Sequence, residues 1–168
     1  MRDFWFYGRN KPGFPFYGGG IMEALITALL LFIGAHSDLN VAVPHPAIRF
    51  VSQEEMLQLY FGDKRPIGAN PQGMYDPYEK TVYLLSDWDA ASSEDHSRLL
   101  HELIHHAQYH PLDYRKRYQC VSQMEAEAIK LTDTWRVKNG FPPWVAEDDL
   151  EKRAILTLYA NCIGSHIH

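Results

Sequence analysis

The spacing of apolar residues along the chain predicts a protein built mainly of helices with a small sheet. Residues 21–35 form a mostly apolar run, which predicts a buried helix that ends near His36. Short runs rich in β-branched and aromatic residues predict strands, and longer runs with apolar residues three or four positions apart predict helices. The expected strands are 48–51, 73–75 and 81–85, and the further helices are 53–60, 93 to about 110, 121–138 and 147–159. We therefore expect an α+β fold dominated by helices.

The first 20 residues differ from the rest, because they combine aromatic side chains with glycine and proline and show no helical or strand period. We interpret residues 1–20 as a flexible arm that precedes a single domain spanning residues 21–168. Basic residues precede the apolar run, so a signal peptide or membrane anchor within residues 1–35 is the alternative to a core helix. The run is shorter than the roughly 20 residues that cross a bilayer. This favours the core helix, and a cytoplasmic protein over an exported or membrane-associated one.

Composition narrows the classes of function. The chain has 168 residues, a length that suits one domain. Its formal net charge is −5, which argues against a nucleic-acid partner. Its two cysteines cannot form a disulfide framework. Cys120 is expected to be a small buried hydrophobic residue, and its pairing with Cys162 is the alternative if the protein is exported. Histidine is unusually frequent, with nine in the chain, and most of the nine lie between His96 and His110.

Residues 101–105 have the sequence HELIH, which is an HExxH motif. On a helix, His101 and His105 leave the same face one turn apart, so both imidazoles can bind one metal ion. Glu102 projects beside them and can act as a general base on water without being a ligand. Zinc is the expected metal, because it takes neutral imidazole and carboxylate ligands and a catalytic site keeps one position open for water. Chance predicts only about 0.03 such motifs in a chain of this composition.

The residues around the motif divide into two faces on a helical wheel. The polar face carries the motif residues together with Gln108 and Tyr109. The apolar face consists of Leu99, Leu100, Leu103, Ile104 and Ala107. We expect the apolar face to pack on the core while the polar face borders a cleft, which is the arrangement that a catalytic helix needs.

A zinc site needs a third protein ligand, and the residues after His105 supply no third histidine at the short spacing of the metzincin pattern. The helix expected over residues 121–138 offers two carboxylates, Glu125 and Glu127. Glu125 lies within the apolar arc of that helix, where a buried carboxylate needs a partner that a metal can supply. We therefore predict Glu125 as the ligand, with Glu127 as the alternative. Glu127 is otherwise interpreted as a solvated charge that pairs with Lys130.

HELIHH followed by EAEA resembles the gluzincin group of zinc peptidases. These share an HExxH helix, an E-x-x-A helix that gives the third ligand, and an upstream edge strand that holds the peptide substrate. Together with residues 50–52, 73–75 and 81–84, these motifs also resemble a family of small, uncharacterised bacterial zinc metallopeptidases, over roughly residues 22–138.

The resemblance implies a zincin-like domain that hydrolyses peptide bonds. It also implies Glu125 as the ligand, because the first Glu of E-x-x-A is the ligand in gluzincins. Ile129 departs from the pattern, since many gluzincins place there an Asp or Asn that supports a ligand histidine. The support must then come from elsewhere in the chain or be weaker.

Three further residues are candidates for stabilising the negative charge that develops on the attacked carbonyl oxygen, namely Tyr109, His106 and Tyr114. For His106 the alternative is a surface or supporting position. The strand at residues 81–85 is expected to be the edge strand to which an extended peptide adds, or else an ordinary strand covering the core. We thus expect a zinc-dependent peptidase acting on a peptide or protein substrate. The alternative is a zinc-stabilised binding domain with little hydrolytic activity, because so short a chain lacks a second lobe to wall the cleft.

Overall fold

A computed structural model describes residues 19–110 and 114–163 of the chain and confirms the α+β fold class. The helices are α1 (Gly19–His36), α2 (Gln53–Phe61), α3 (Ser93–Tyr109), the short α4 (Tyr114–Arg117), α5 (Val121–Lys138) and α6 (Leu150–Ala160). The strands are β1 (Ala47–Val51), β2 (Gly73–Asp76) and β3 (Thr81–Leu85). The arm expected at residues 1–20 lies outside the described residues, apart from the two glycines that begin α1. In the described ranges, no helix combines the length and the apolar character needed to cross a membrane.

Side-chain caps explain where two of the helices begin. Ser52 and Glu55 form the capping box at the start of α2, because the Ser52 hydroxyl accepts from the Glu55 amide and the Glu55 carboxylate accepts from the Ser52 amide. At the start of α3 the Ser92 hydroxyl accepts from the Asp95 amide at 3.2 Å. The helix that carries the HExxH motif therefore has a fixed first turn.

The three strands form one sheet in the order β1–β3–β2, with β1 parallel and β2 antiparallel to β3. The expectation that residues 81–85 form an edge strand is therefore wrong, because β3 is central. Its first four residues are all buried, as is typical of a strand with neighbours on both sides and helices against its faces. The strand that packs against α3 and forms one edge of the sheet is β2.

The core is built around α3, which contacts α1, α5, β2 and β3. The apolar face predicted from the helical wheel is fully buried, at 0 % exposure for each of Leu99, Leu100, Leu103, Ile104 and Ala107. Apolar residues of α1 and β3 pack in the same cluster. Burying one such side chain contributes about 1.5–3 kcal/mol, so the rotation of α3 about its axis is fixed. Its polar face is consequently directed away from the core.

Outside this core, α6 packs against α5 and buries none of its own residues. Leu150, Ile155 and Leu158, which the sequence places on one apolar face, are exposed. A disulfide between Cys120 and Cys162 joins the region after α6 to the residue before α5, with the two Cα atoms 5.8 Å apart. The interpretation of Cys120 as an unpaired hydrophobic residue is therefore wrong, although it is buried.

Candidate metal centre

Two histidines of α3 and one carboxylate of α5 meet at one point. The Nε2 atoms of His101 and His105 lie 3.2 Å apart. Glu125 places Oε2 3.4 Å from His101 Nε2 and Oε1 3.2 Å from His105 Nε2. The structure thus brings together the three residues that the sequence predicts as ligands, and these atoms form a group that could hold a metal ion.

The contacts within this group are close to those expected around zinc. A tetrahedral zinc ion with ligand bonds of roughly 2.0–2.1 Å places neighbouring ligand atoms about 3.4 Å apart. The two histidine nitrogens lie 3.2 Å apart, and each is 3.2–3.4 Å from a different carboxylate oxygen of Glu125, while one ligand atom from each of the three residues can be chosen so that all lie within 4.8 Å of one another. Two imidazoles and one carboxylate also form a set of donors that zinc takes in catalytic sites, where a fourth position stays open.

Without metal, the carboxylate and the imidazoles stabilise one another's charged forms. Burial lowers the pKa of His105, but the hydrogen bond and the negative charge of Glu125 outweigh it and raise that pKa to about 9. Burial raises the pKa of Glu125, and hydrogen bonds from His101 and His105 hold it far below its usual range. Glu125 is therefore ionised at neutral pH and available as a ligand.

Glu102 lies beside the ligands and is buried. Burial raises the pKa of its carboxyl group, while the positive charges of His101 and His105 act in the opposite direction. Its carboxylate lies against the backbone of β2, where a Cβ added to Gly73 would come within 3.0 Å of Glu102 Oε1. Glycine at position 73 therefore makes room for the proposed general base.

His105 is held by a chain of hydrogen bonds that leads away from the cleft. Its Nδ1 lies 2.8 Å from Gln108 Oε1, and Gln108 Nε2 donates to Glu127 Oε2 at 2.9 Å and to the Met124 carbonyl at 3.0 Å. Arg117 donates to Glu127 Oε1 at 2.8 Å, and the Tyr118 hydroxyl also donates to Glu127. Glu127 therefore fixes Gln108, which fixes the ring of His105.

This position of Glu127 corrects the interpretation of it as a solvated charge paired with Lys130. Its side chain is 24 % exposed, and its ion-pair partner is Arg117. Arg117 also contacts Asp38 at 2.6 Å, so the pair connects α5 to the segment after α1. The three-residue spacing of Glu127 and Lys130 on one helix is visible in the sequence and suits an ion pair. Arg117 and Gln108 are brought to Glu127 only by the tertiary fold.

The surroundings of His101 are different. Its ring packs against Trp144, with the ring centroids 5.7 Å apart. Among the described residues its Nδ1 atom is buried and has no hydrogen-bond partner. The isoleucine at position 129 supplies no polar group there. The two ligand histidines thus differ in how their orientation is fixed.

A cleft of about 270 Å³ opens at the metal centre. Its walls are Tyr60, Met74, Tyr75, His101, Glu102, His105, Tyr109, Val121, Met124 and Glu125. A second depression, of about 350 Å³, shares Tyr60, His101 and Glu102 with the first and reaches Arg98 and Trp144. The two depressions thus adjoin at Tyr60, His101 and Glu102.

Of the candidates for stabilising negative charge, the structure places Tyr109 on this cleft and His106 elsewhere. His106 is 1 % exposed and contacts the Tyr75 hydroxyl through Nδ1 and the Pro44 carbonyl through Nε2, both at 2.9 Å. Its position is structural, because neither ring nitrogen is left for a ligand in the cleft. The side chain of Tyr114, the remaining candidate, lies outside the described part of the chain.

Tyr60 of α2 is a cleft residue that the sequence does not single out, because it reads there only as part of an apolar helix face. It borders both depressions. Burial raises the pKa of its hydroxyl, and the negative charges of Glu125 and Glu102 raise it further. A tyrosine phenol is protonated at neutral pH at its ordinary pKa, so the Tyr60 hydroxyl is a hydrogen-bond donor beside the ligands.

Comparison with known proteins gives one family. The profile of a family described as "Domain of unknown function (DUF6647)" matches residues 19–168. No curated protein and no solved structure matches the chain. All the residues of the metal centre lie within the matched range.

Proposed function

The chain belongs to the DUF6647 family, and we propose that it is a zinc-dependent peptidase that hydrolyses peptide bonds. The observation that carries the proposal is the convergence of His101, His105 and Glu125, whose nearest contacts of 3.2–3.4 Å are close to the spacing of ligand atoms around zinc. A buried carboxyl group, Glu102, shares the same cleft. Two histidines, a carboxylate ligand and a separate carboxyl group are the set that metal-assisted hydrolysis needs.

Glu102 is the proposed general base. Zinc bound by the three ligands would supply Lewis acidity toward a water molecule and a peptide carbonyl. Glu102 takes a proton from that water and passes it to the leaving amine. Burial raises the pKa of Glu102, which brings it nearer to the pH at which both proton transfers must occur.

Tyr60 is the proposed donor to the oxygen of the attacked carbonyl. That oxygen gains negative charge in the transition state and is stabilised by a positioned hydrogen-bond donor. Tyr60 and Tyr109 both line the cleft. The raised pKa of Tyr60 keeps its hydroxyl protonated beside Glu102 and Glu125, and Tyr109 is the second candidate.

The proposed place for the substrate is the edge strand β2. Its residues Met74 and Tyr75 line the cleft, and among the described strands β3 pairs with one of its two edges, while the Tyr75 amide hydrogen-bonds Glu102. An extended peptide can add to such an edge through main-chain hydrogen bonds. This would carry a peptide bond past Glu102, which lies against the β2 backbone at Gly73.

The proposal is tested by zinc content and by hydrolysis of a mixed peptide library. The unchanged protein should hold about one zinc per chain and cleave peptides. Glu102→Gln should retain the zinc and lose roughly 10²–10⁴-fold in rate, as expected for removal of a general base. Glu151→Gln, an exposed change on α6, is the matched control and should leave both properties unchanged.

A zinc-loaded protein that cleaves no peptide, with or without Glu102→Gln, would favour the zinc-stabilised binding domain instead. A protein that binds no zinc would contradict both functions. The two measurements therefore separate the metal site from the reaction assigned to it.

We also propose that the protein works in an oxidising compartment. Disulfides are rare in the cytosol, where reductants keep thiols reduced, and the structure joins Cys120 to Cys162. Protein taken from its native source and alkylated before denaturation should show both cysteines protected. Labelling of both thiols would instead favour the cytoplasmic location expected from the sequence.

A further inference from the structure

Thr132 of α5 is a buried polar residue whose hydroxyl the fold does not explain. Its side chain is 0 % exposed, and within residues 19–110 and 114–163 its hydroxyl has no hydrogen-bond partner. Among the described residues, His101 Nδ1 is the one other buried side-chain polar atom without a partner. An unpaired buried polar group costs about 1–3 kcal/mol, so two such atoms in one small domain require an explanation.

The contacts between α3 and α5 place these two residues at the same level. Arg136 donates to Ser97 Oγ at 2.9 Å near one end of the helix pair, and Gln108 donates to the Met124 carbonyl at 3.0 Å near the other. The helices are therefore antiparallel. His101 follows Ser97 by four residues and Thr132 precedes Arg136 by four, which is about 6 Å along each axis.

Thr132 also lies on the correct face of α5. It follows Glu125 by seven residues, which is close to two helical turns, so both residues share the face that packs on α3. Burial agrees with this, because Ala128 and Thr132 are both 0 % exposed. The hydroxyl is thus on the side of α5 that faces the ligand helix.

The other polar groups near this level are already engaged. Ser97 Oγ donates to the Ser93 carbonyl and accepts from Arg136. The carboxylate of Glu94 accepts from Arg136 and from Trp144, and that of Asp133 accepts from the backbone amides at 144 and 145. Among the described residues, the Thr132 hydroxyl is the other buried side-chain polar group without a partner.

We propose that Thr132 is a positioning residue for His101, resting on the proposed zinc site. Its hydroxyl accepts a hydrogen bond from His101 Nδ1–H across one buried water, because the two atoms are not in direct hydrogen-bond contact, and so holds Nε2 toward the metal. A neutral histidine that ligates through Nε2 carries its proton on Nδ1, and that proton needs an acceptor. Thr132 supplies from one turn further along α5 the support that Ile129 cannot give.

The test uses Thr132→Val, which keeps the shape and removes the hydroxyl, and Thr132→Ser, which keeps the hydroxyl. Zinc affinity is measured by competition with a chelator, and thermal unfolding is measured on the metal-free proteins. Thr132→Val should weaken zinc binding roughly 10–100-fold, as removal of a ligand's hydrogen-bond partner does. Its metal-free form should be at least as stable as the unchanged protein, because an unpaired hydroxyl has been removed. Thr132→Ser should bind zinc nearly as tightly as the unchanged protein.

Equal zinc affinity in Thr132→Val and the unchanged protein would overturn the inference and leave the peptidase proposal standing. Equal weakening in both variants, with matching losses of metal-free stability, would also overturn it, because Thr132 would then serve packing alone. If instead Thr132→Val weakens zinc binding but the zinc-loaded protein cleaves no peptide, the inference holds and the proposed reaction fails.

Discussion

The two helices that supply the metal centre are held in place in different ways. α3, with two ligands and the proposed base, is fixed by a fully buried apolar face. The first turns of α5, which carry Glu125, have a 60 % exposed Val121 and no side-chain cap at Cys120. Met124 is the buried apolar side chain of these turns, which are also held by a disulfide and by hydrogen bonds from Gln108 to the Met124 carbonyl and from Gln123 to the Ala160 carbonyl. Changes far from the centre should therefore displace Glu125 more readily than the two histidines.

The disulfide gives the largest expected effect. Replacing Cys120 and Cys162 with serine removes a cross-link between residues 42 positions apart, which we expect to lower the free energy of unfolding by about 4 kcal/mol. Denaturant unfolding of the metal-free protein measures this, and reduction of the unchanged protein should give the same loss. Zinc affinity should fall as well, because Glu125 lies on the helix that the disulfide anchors. A loss below about 0.5 kcal/mol would show that packing alone holds α5.

The features predicted from the sequence are those that short-range patterns determine. The helical wheel of α3 separates five buried apolar residues from the polar face, and the capping box at Ser52 needs only four consecutive residues. The bounds of α5 follow from its period together with the glycine and prolines that end it. The HExxH spacing and the apolar position of Glu125 likewise select the three residues that the structure brings together.

The features that were missed depend on contacts between distant residues. A continuous apolar run indicates a strand, but the central place of β3 is set by which strands pair with it. Glu127 and Lys130 have a suitable spacing on one helix, yet Arg117 and Gln108 reach Glu127 from other elements. The sequence leaves the pairing of Cys120 with Cys162 as an alternative, and only the packing of α6 on α5 brings the two cysteines together. In each case the local pattern is real and the tertiary partner decides the outcome.

The pH dependence of the metal-free protein should show the ion pair that joins α3 and α5 at the centre. The pKa of His105 is about 9 in the folded protein against an ordinary 6.5. The contribution of protonated His105 to the free energy of unfolding is therefore complete below pH 6.5 and is lost as the pH rises through 9. The free energy of unfolding changes by about 3 kcal/mol over this range. The pKa of Glu125 is lowered from its ordinary 4.5, so its contribution is lost as the pH falls below that value.

The measurement is the free energy of unfolding against pH in the presence of a chelator. We expect the greatest contribution of this pair between pH 4.5 and 6.5 and a decline from there to pH 9. Glu125→Gln removes the charge with little change of shape and should flatten the decline. If the free energy of unfolding of Glu125→Gln declines equally steeply with pH, the decline is due to other titrating groups. The charge of Glu125 would then not stabilise the packing of α5 on α3.

The smallest expected effect concerns Gln108, which joins a ligand of α3 to the backbone and a carboxylate of α5. Gln108→Leu leaves His105 Nδ1 without its partner and should weaken zinc binding roughly 10–100-fold, or about 1.4–2.7 kcal/mol. Glu127→Gln, the matched control, keeps a hydrogen-bonding group beside Gln108 and should weaken binding less. Chelator competition on both variants orders the effects. If Glu127→Gln weakened binding as much as Gln108→Leu, the charge of Glu127, transmitted through Gln108, would be the property that supports His105. The orientation of His105 on α3 would then be set by a charged residue of α5. At His105, the contrast between a helix fixed by its own buried face and a helix held by polar contacts would no longer apply.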